Sequence, residues 1–323
     1  MRCESCGHEN LHGGIYCENC GAIVAGQARP DDPVLNGPKE TIRSAVSERE
    51  QLDRMLPPWI VWVNVLLSFG AAIGTVAYVF SAFSYESLDL EEYWRSMATA
   101  YAMVFCISIV SQLIFATISY YLIDRHNDHA AREGRLKNGI IRLAQAAATS
   151  PESQSAVTRE LQSISLYESS GTRTRSPALW AFLIATPAIG ALLSLVLMVI
   201  ALENFSVSAF LGAIGTGSLL GLVGFVATIY MFYFLMKEEN AHENSWTGFL
   251  VDSSRVLTRL GFPIARNLAP RSPPDRSFAL YLVLTIFTGI FVYYWWYTLI
   301  KDPNDHYKDQ WMAEDSILRA IGR

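Results

Sequence analysis

Apolar positions along this chain fall into long unbroken runs, not the every-second-residue alternation of a half-buried strand. Four runs, Trp59–Phe83, Met97–Ile123, Ala178–Leu202 and Val207–Met236, exceed the roughly 20 residues a helix needs to cross a bilayer. A fifth, Phe278–Ile300, is 23 residues long. The pattern predicts an all-α integral membrane helical bundle of four clear spans plus a fifth span or re-entrant hairpin. The first 58 residues are polar, so the first span itself is expected to direct insertion. Gly70 and Gly74 in the first span, and Ala213, Gly217 and Gly221 in the fourth, set small residues four apart. Such stripes let helices approach closely in lipid. We read them as packing within one chain, with homo-oligomer contact as the alternative. Pro187 should bend the third span by removing a helix hydrogen bond, and Cys106 in the second reads as a small core residue.

Composition agrees with this pattern and limits what it can do. The chain is 51% hydrophobic and 17% charged, with a net charge of −5; soluble domains average about 25% charged residues. Every Lys, Arg, Asp, Glu and His lies outside the apolar runs, where Asn64 and Gln112 are the largest polar groups. Ion-coupled pumps, proton relays and voltage sensors need ionisable groups at depth, so these classes are disfavoured. Residues 1–58, 124–177 and 237–277 hold 20 of the 25 basic residues. By the positive-inside rule the expected location is the cell membrane, multi-pass, with a cytoplasmic N-terminus.

Chemistry enters at the N-terminus. Cys3-Glu-Ser-Cys6-Gly7 and Cys17-Glu-Asn-Cys20-Gly21 are paired CxxCG knuckles ten residues apart. Four thiolates complete a tetrahedral Zn²⁺ site and leave no open position, which is structural zinc, one ion per chain. His8 and His12 are not needed as ligands. Residues 1–25 carry one Arg against Glu4, Glu9 and Glu18, so no nucleic acid partner is expected; a cytoplasmic protein contact suits this module better. The double knuckle, with Asn10 and Tyr16 between its halves, resembles the short zinc-ribbon family found at the ends of many prokaryotic membrane proteins. Three regions follow: the ribbon at 1–25, a linker and amphipathic helix at 26–56, and a membrane region at 57–323. Gly26, Pro30, Pro33, Gly37 and Pro38 read as a flexible tether, and Ile42, Val46, Leu52, Met55 and Leu56 as one apolar helical face. Ser150-Pro151-Glu152 is a helix start, with Val157, Leu161 and Ile164 on one face.

The membrane region carries a threefold internal repeat. Leu122-Ile123 through Asn127 and His129, Leu235-Met236 through Asn240 and His242, and Leu299-Ile300 through Asn304 and His306 align without gaps. An Arg stands 13 residues past each His: Arg142, Arg255 and Arg319. The repeated tails run over 124–143, 237–256 and 301–320, each read as an aromatic belt, an Asn-x-His turn and an amphipathic helix. One reading is structural: Asn and His end the span and bind freed carbonyls while Arg reaches lipid phosphate. Another gathers the three imidazoles into a metal site for Zn, Fe or Ni. The structural reading is preferred because no partner carboxylate stands out beside the three His.

Arg276 through Thr288-Gly289-Ile290-Phe291 to Trp295-Trp296, then Asn304, resembles the prokaryotic membrane family called domain of unknown function 4234, with Thr288 and Gly289 adjacent and Phe291 in place of Tyr. That resemblance implies membrane embedding and no catalytic activity. Five crossings would place the third tail opposite its two equivalents. A break at Thr288-Gly289 that returns the chain to its side of origin removes the conflict. The reading that follows is a non-enzymatic membrane scaffold or regulator whose ribbon contacts a cytoplasmic protein. A pore or facilitator for a neutral or lipid-like solute is the alternative, and a membrane-interface metalloenzyme using the three His the third.

Overall fold

The computed structural model describes residues 6–9, 19, 32–83, 90–148, 155, 157–158, 174–204, 206–262, 264 and 276–322. Among these no strand forms. A 3₁₀ turn over Pro33–Leu35 leads into helices α1 (Asn36–Ser47), α2 (Arg49–Leu52), α3 (Ile60–Phe83), α4 (Leu90–Ala147), α5 (Pro177–Glu203), α6 (Val207–Arg259), α7 (Phe278–Thr288) and α8 (Phe291–Ala320). Four helices, α3 to α6, are long and apolar enough to cross a membrane. Leu66, Ile73, Phe80 and Leu219 on their outer faces are each more than 60% exposed, as side chains solvated by hydrocarbon should be. The protein is an all-α membrane bundle.

At about 1.5 Å per residue, α4 and α6 are roughly 87 and 80 Å long, well over the ~30 Å hydrocarbon thickness. Each crosses as an apolar helix and continues unbroken into water, so the Asn-x-His motifs sit mid-helix and not at turns. Neither sequence contains proline or a capping glycine to stop the helix there. In the third repeat α8 likewise runs through Asn304 and His306, tolerating Pro303.

α7 is different. Its 11 residues end at Gly289, whose φ of +65° is a left-handed conformation that favours glycine. Thr288 secures both sides of the break: its hydroxyl donates to Leu284 O at 2.7 Å and accepts from Phe291 N at 3.2 Å. At about 16 Å, α7 cannot cross alone. The hairpin returns to its starting side, because Arg276 before α7 donates to both carboxylate oxygens of Asp302 in α8 at 2.6 and 2.9 Å. The Phe278–Ile300 run is therefore a re-entrant hairpin.

The α5–α6 hairpin uses its small residues for contact. A Cβ on Gly224 would fall 2.4 Å from the Pro187 ring, and one on Gly217 would lie 2.7 Å from Ser194 Oγ. Pro187 thus seats on Gly224 inside a continuous α5. Ser194 donates to Ala213 O at 2.6 Å and Thr186 to Leu220 O at 3.1 Å. Among the described residues nothing lies within 4 Å of a Cβ added at Gly70, Gly74 or Gly221, so the first-span stripe makes no close helix contact with them. Cys106 is also exposed: the outer face of α4 meets lipid, which a small apolar thiol tolerates.

Two apolar layers stabilise the bundle. One, at the membrane boundary, joins Val61, Ile118, Ile123, Phe232, Trp295 and Trp296. The other lies in the head built by the helical extensions, with Leu35, Ile42, Leu136, Trp246, Phe249 and Ile317. Helix α1 begins at Asn36 and buries Ile42 and Val46 against this head, so Pro33, Gly37 and Pro38, read as tether, lie in helical turns instead. Val157 joins the head layer; Pro151, Glu152, Leu161 and Ile164 lie outside the described residues. Arg43 donates to Gly322 O at 2.7 Å, which puts the C-terminus on the same side as α1.

Candidate metal centre

The two apolar layers enclose a polar one. Each repeat places its His between them, and the continuous helices bring the three together. The His129 ring centroid lies 5.0 Å from that of His242 and 5.5 Å from that of His306, and His242 and His306 are 5.4 Å apart. Glu133, one turn beyond His129 on the same face of α4, completes a group whose ligand atoms all lie within 4.8 Å of one another. All four side chains are at most 10% exposed.

The atoms that would face an ion are short of other partners. His129 Nε2 and His242 Nε2 are 3.0 Å apart, and Glu133 Oε2 lies 2.9 Å from His242 Nε2 and 3.6 Å from His129 Nε2. Among the described residues, His306 Nε2 has no hydrogen-bond partner, and Glu133 Oε2 reaches only imidazole nitrogens of the same group. Buried polar atoms are seldom left in that state. Glu133 Oε1 is held by Lys137 Nζ at 2.6 Å, which leaves Oε2 for the centre.

Carboxylates stand behind two of the imidazoles. Asp53 Oδ1 is 2.9 Å from His129 Nδ1, and Glu243 Oε1 is 3.3 Å from His306 Nδ1. A carboxylate at Nδ1 fixes the tautomer with its lone pair on Nε2, the outer-shell arrangement of metal-bound histidine. Asp53 also accepts from Arg132 Nε and Nη2 at 3.1 and 2.7 Å and from Trp311 Nε1 at 2.7 Å. Burial acts to raise its pKa, but the His129 hydrogen bond and charge, then Arg132 and Trp311, outweigh it and hold the carboxyl below its ordinary value. Tyr307 stacks on His129 with centroids 4.3 Å apart, and burial raises its pKa, keeping the phenol neutral.

The sequence supplied the three His but not their acidic partners. Glu133 was visible as His-x-x-x-Glu, four residues apart on one helical face, and Glu243 as the neighbour of His242. Asp53 had no signal: it caps the short α2 and reaches the site only through the tertiary fold.

The repeat Asn residues have a different task. Asn127 Nδ2 donates to Arg175 O at 2.8 Å and its Oδ1 accepts from Arg175 N at 3.3 Å. Asn304 Nδ2 donates to Leu56 O at 2.7 Å, while its Oδ1 accepts from Arg125 Nη1 at 2.9 Å. Each thus ties its hairpin to the segment that begins another, not to carbonyls of its own span. Asn240 lines a small cleft with Arg276 and Asp302. Arg142, Arg255 and Arg319 are exposed on the head, away from the imidazoles. Of the ribbon ligands, Cys3, Cys17 and Cys20 lie outside the described residues, and Cys6 Sγ is 3.9 Å from Asn19 Nδ2.

Comparison with family models, curated proteins and solved structures finds no match for this chain. The functional reading therefore rests on its own residues.

Proposed function

We propose that this chain is a membrane-embedded metalloprotein that acts as a scaffold or regulator. A divalent transition ion bound by His129, His242, His306 and Glu133 clamps its three hairpins together at the cytoplasmic face. The carrying observation is the convergence of one imidazole from each repeat on a buried carboxylate, with His306 Nε2 left without a partner and Glu133 Oε2 2.9 Å from His242 Nε2. Three imidazoles and one carboxylate form a four-donor tetrahedral set suited to Zn²⁺. A set with no open position favours a structural or regulatory ion over a catalytic one. The four ribbon cysteines add a second, separate zinc on the N-terminal arm, where it supports contact with a cytoplasmic protein. The pore reading is not adopted: the hydroxyls of Ser194 and Thr186 are spent on carbonyls of the facing helix.

Metal analysis of the detergent-purified full chain tests this. Two metal ions per chain are expected, with His306→Ala removing one and Cys17→Ser the other. A single ion that survives His306→Ala overturns the proposal. Co-purification of a protein partner that is lost on Cys17→Ser would support the ribbon's role, and retention would remove it.

A further inference from the structure

The three seams between hairpins are not alike. Asn127 closes one through the Arg175 backbone and Asn304 closes another through Leu56. At the third, the equivalent Asn240 makes no hydrogen bond to the described residues and lines a small cleft with Glu239, Arg276, Asp302, Thr298, Leu299 and Met236. We infer that this open seam is the route by which a divalent cation reaches the three-His centre, with Glu239 and Glu243 as its relay. The inference rests on the metal reading above.

Charge and position carry it. Glu239 faces the cleft, and Glu243, four residues on along α6, lies on the same face one turn nearer the head. Glu243 Oε1 is 3.3 Å from His306 Nδ1. Glu239 Oε1 and Glu243 Oε2 are both buried without a hydrogen-bond partner among the described residues, and Glu243 is only 7% exposed. Neighbouring cations do not neutralise them by hydrogen bonding. Arg276 spends its donors on Asp302 and on Tyr281 Oη at 2.7 Å. Arg125 spends its own on Asn304 and on the Leu299 and Ile300 carbonyls. Two desolvated carboxylates in file between a cleft and an imidazole cluster favour transient binding of a cation over any anion or neutral solute. Along the helices, Trp246 and Phe249 of the head layer follow the centre, and Trp295 and Trp296 of the membrane-boundary layer precede it.

The test is stopped-flow Co²⁺ uptake by the full chain in detergent, with Cys17→Ser and Cys20→Ser removing the ribbon site, followed by the cobalt absorption bands. Glu239→Gln preserves shape and removes the carboxyl group that would take the cation; Asn240→Leu plugs the cleft. Either is expected to slow association and dissociation about tenfold together and to leave the Kd unchanged, since neither residue is a ligand. Unchanged rates overturn the route, as does a weakened Kd with unchanged association, which would make Glu239 a support of the centre. Co²⁺ uptake by the parent chain, matched in rate by both variants, leaves the centre standing and removes only the route. No uptake by the parent chain overturns both.

Discussion

Asp53 shows how much of the centre depends on residues that are not ligands. Its four hydrogen bonds orient His129, anchor Arg132 and hold Trp311, and Asp53, His129 and Arg132 are all buried. Removing an outer-shell carboxylate from a metal-bound histidine weakens metal affinity about 10- to 100-fold. Asp53→Asn should therefore lower affinity at the centre by that factor in a chelator competition, while the ribbon ion is unaffected. Arg132 raises a different question, because it is fully buried between Asp53 and Glu314, 2.7 Å from each. Arg132→Ala would leave two carboxylates uncompensated, at a cost of about 3–5 kcal/mol. Thermal melting should report a large loss, and the double variant Arg132→Ala with Glu314→Gln should recover part of it. Sequence reading found the imidazoles through a repeated Asn-x-His. It preferred a structural role for them because a carboxylate on another element, or one helical turn away, has no fixed place in a linear motif.

At the level of elements, apolar run length was the most legible feature. Helices α3, α5 and the apolar halves of α4 and α6 follow the runs closely, because lipid exposure demands an unbroken apolar face and an internally bonded backbone. The re-entrant break was legible too, from Thr288-Gly289 and from the need to return the third tail to its equivalents. What the sequence could not show was that spans two and four continue as single helices into the head. A change from apolar to polar residues suggests an end, yet no helix breaker marks one in α4 or α6. The hairpin tip makes the corresponding prediction. At φ +65° a β-branched residue is strained, so Gly289→Val should cost about 1–2 kcal/mol locally. Since α7 and α8 carry the third imidazole, metal affinity should fall with it, whereas Gly70→Val, on an open lipid-facing surface, should leave both stability and affinity unchanged.

For the whole molecule, the three hairpins form a ring with two of its seams tied by a repeated Asn, and contacts among their far ends place those ends on one side. Arg43 at Gly322 O and Arg49 at Asp315, 2.8 Å away, bind the N-terminal helices to the C-terminal one. Arg54 reaches Asp124 and Asp128 at 2.8 and 3.3 Å on the extension of α4. These contacts gather α1, the far halves of α4 and α6 and the end of α8 into one head on one side of the bilayer. The short α5–α6 turn lies at the opposite end of its hairpin. From the basic-residue bias we propose that the head faces the cytoplasm. Single cysteines at Met312, exposed on α8, and at Asn204, in the α5–α6 turn, convert this into a measurement. In inside-out vesicles a membrane-impermeant maleimide should modify position 312 and spare 204, as read by mass spectrometry of the labelled peptides. In right-side-out vesicles the pattern should reverse. Modification of both positions from the same side would dissolve the ring, because α8 could not then donate His306 to a centre shared with α4 and α6.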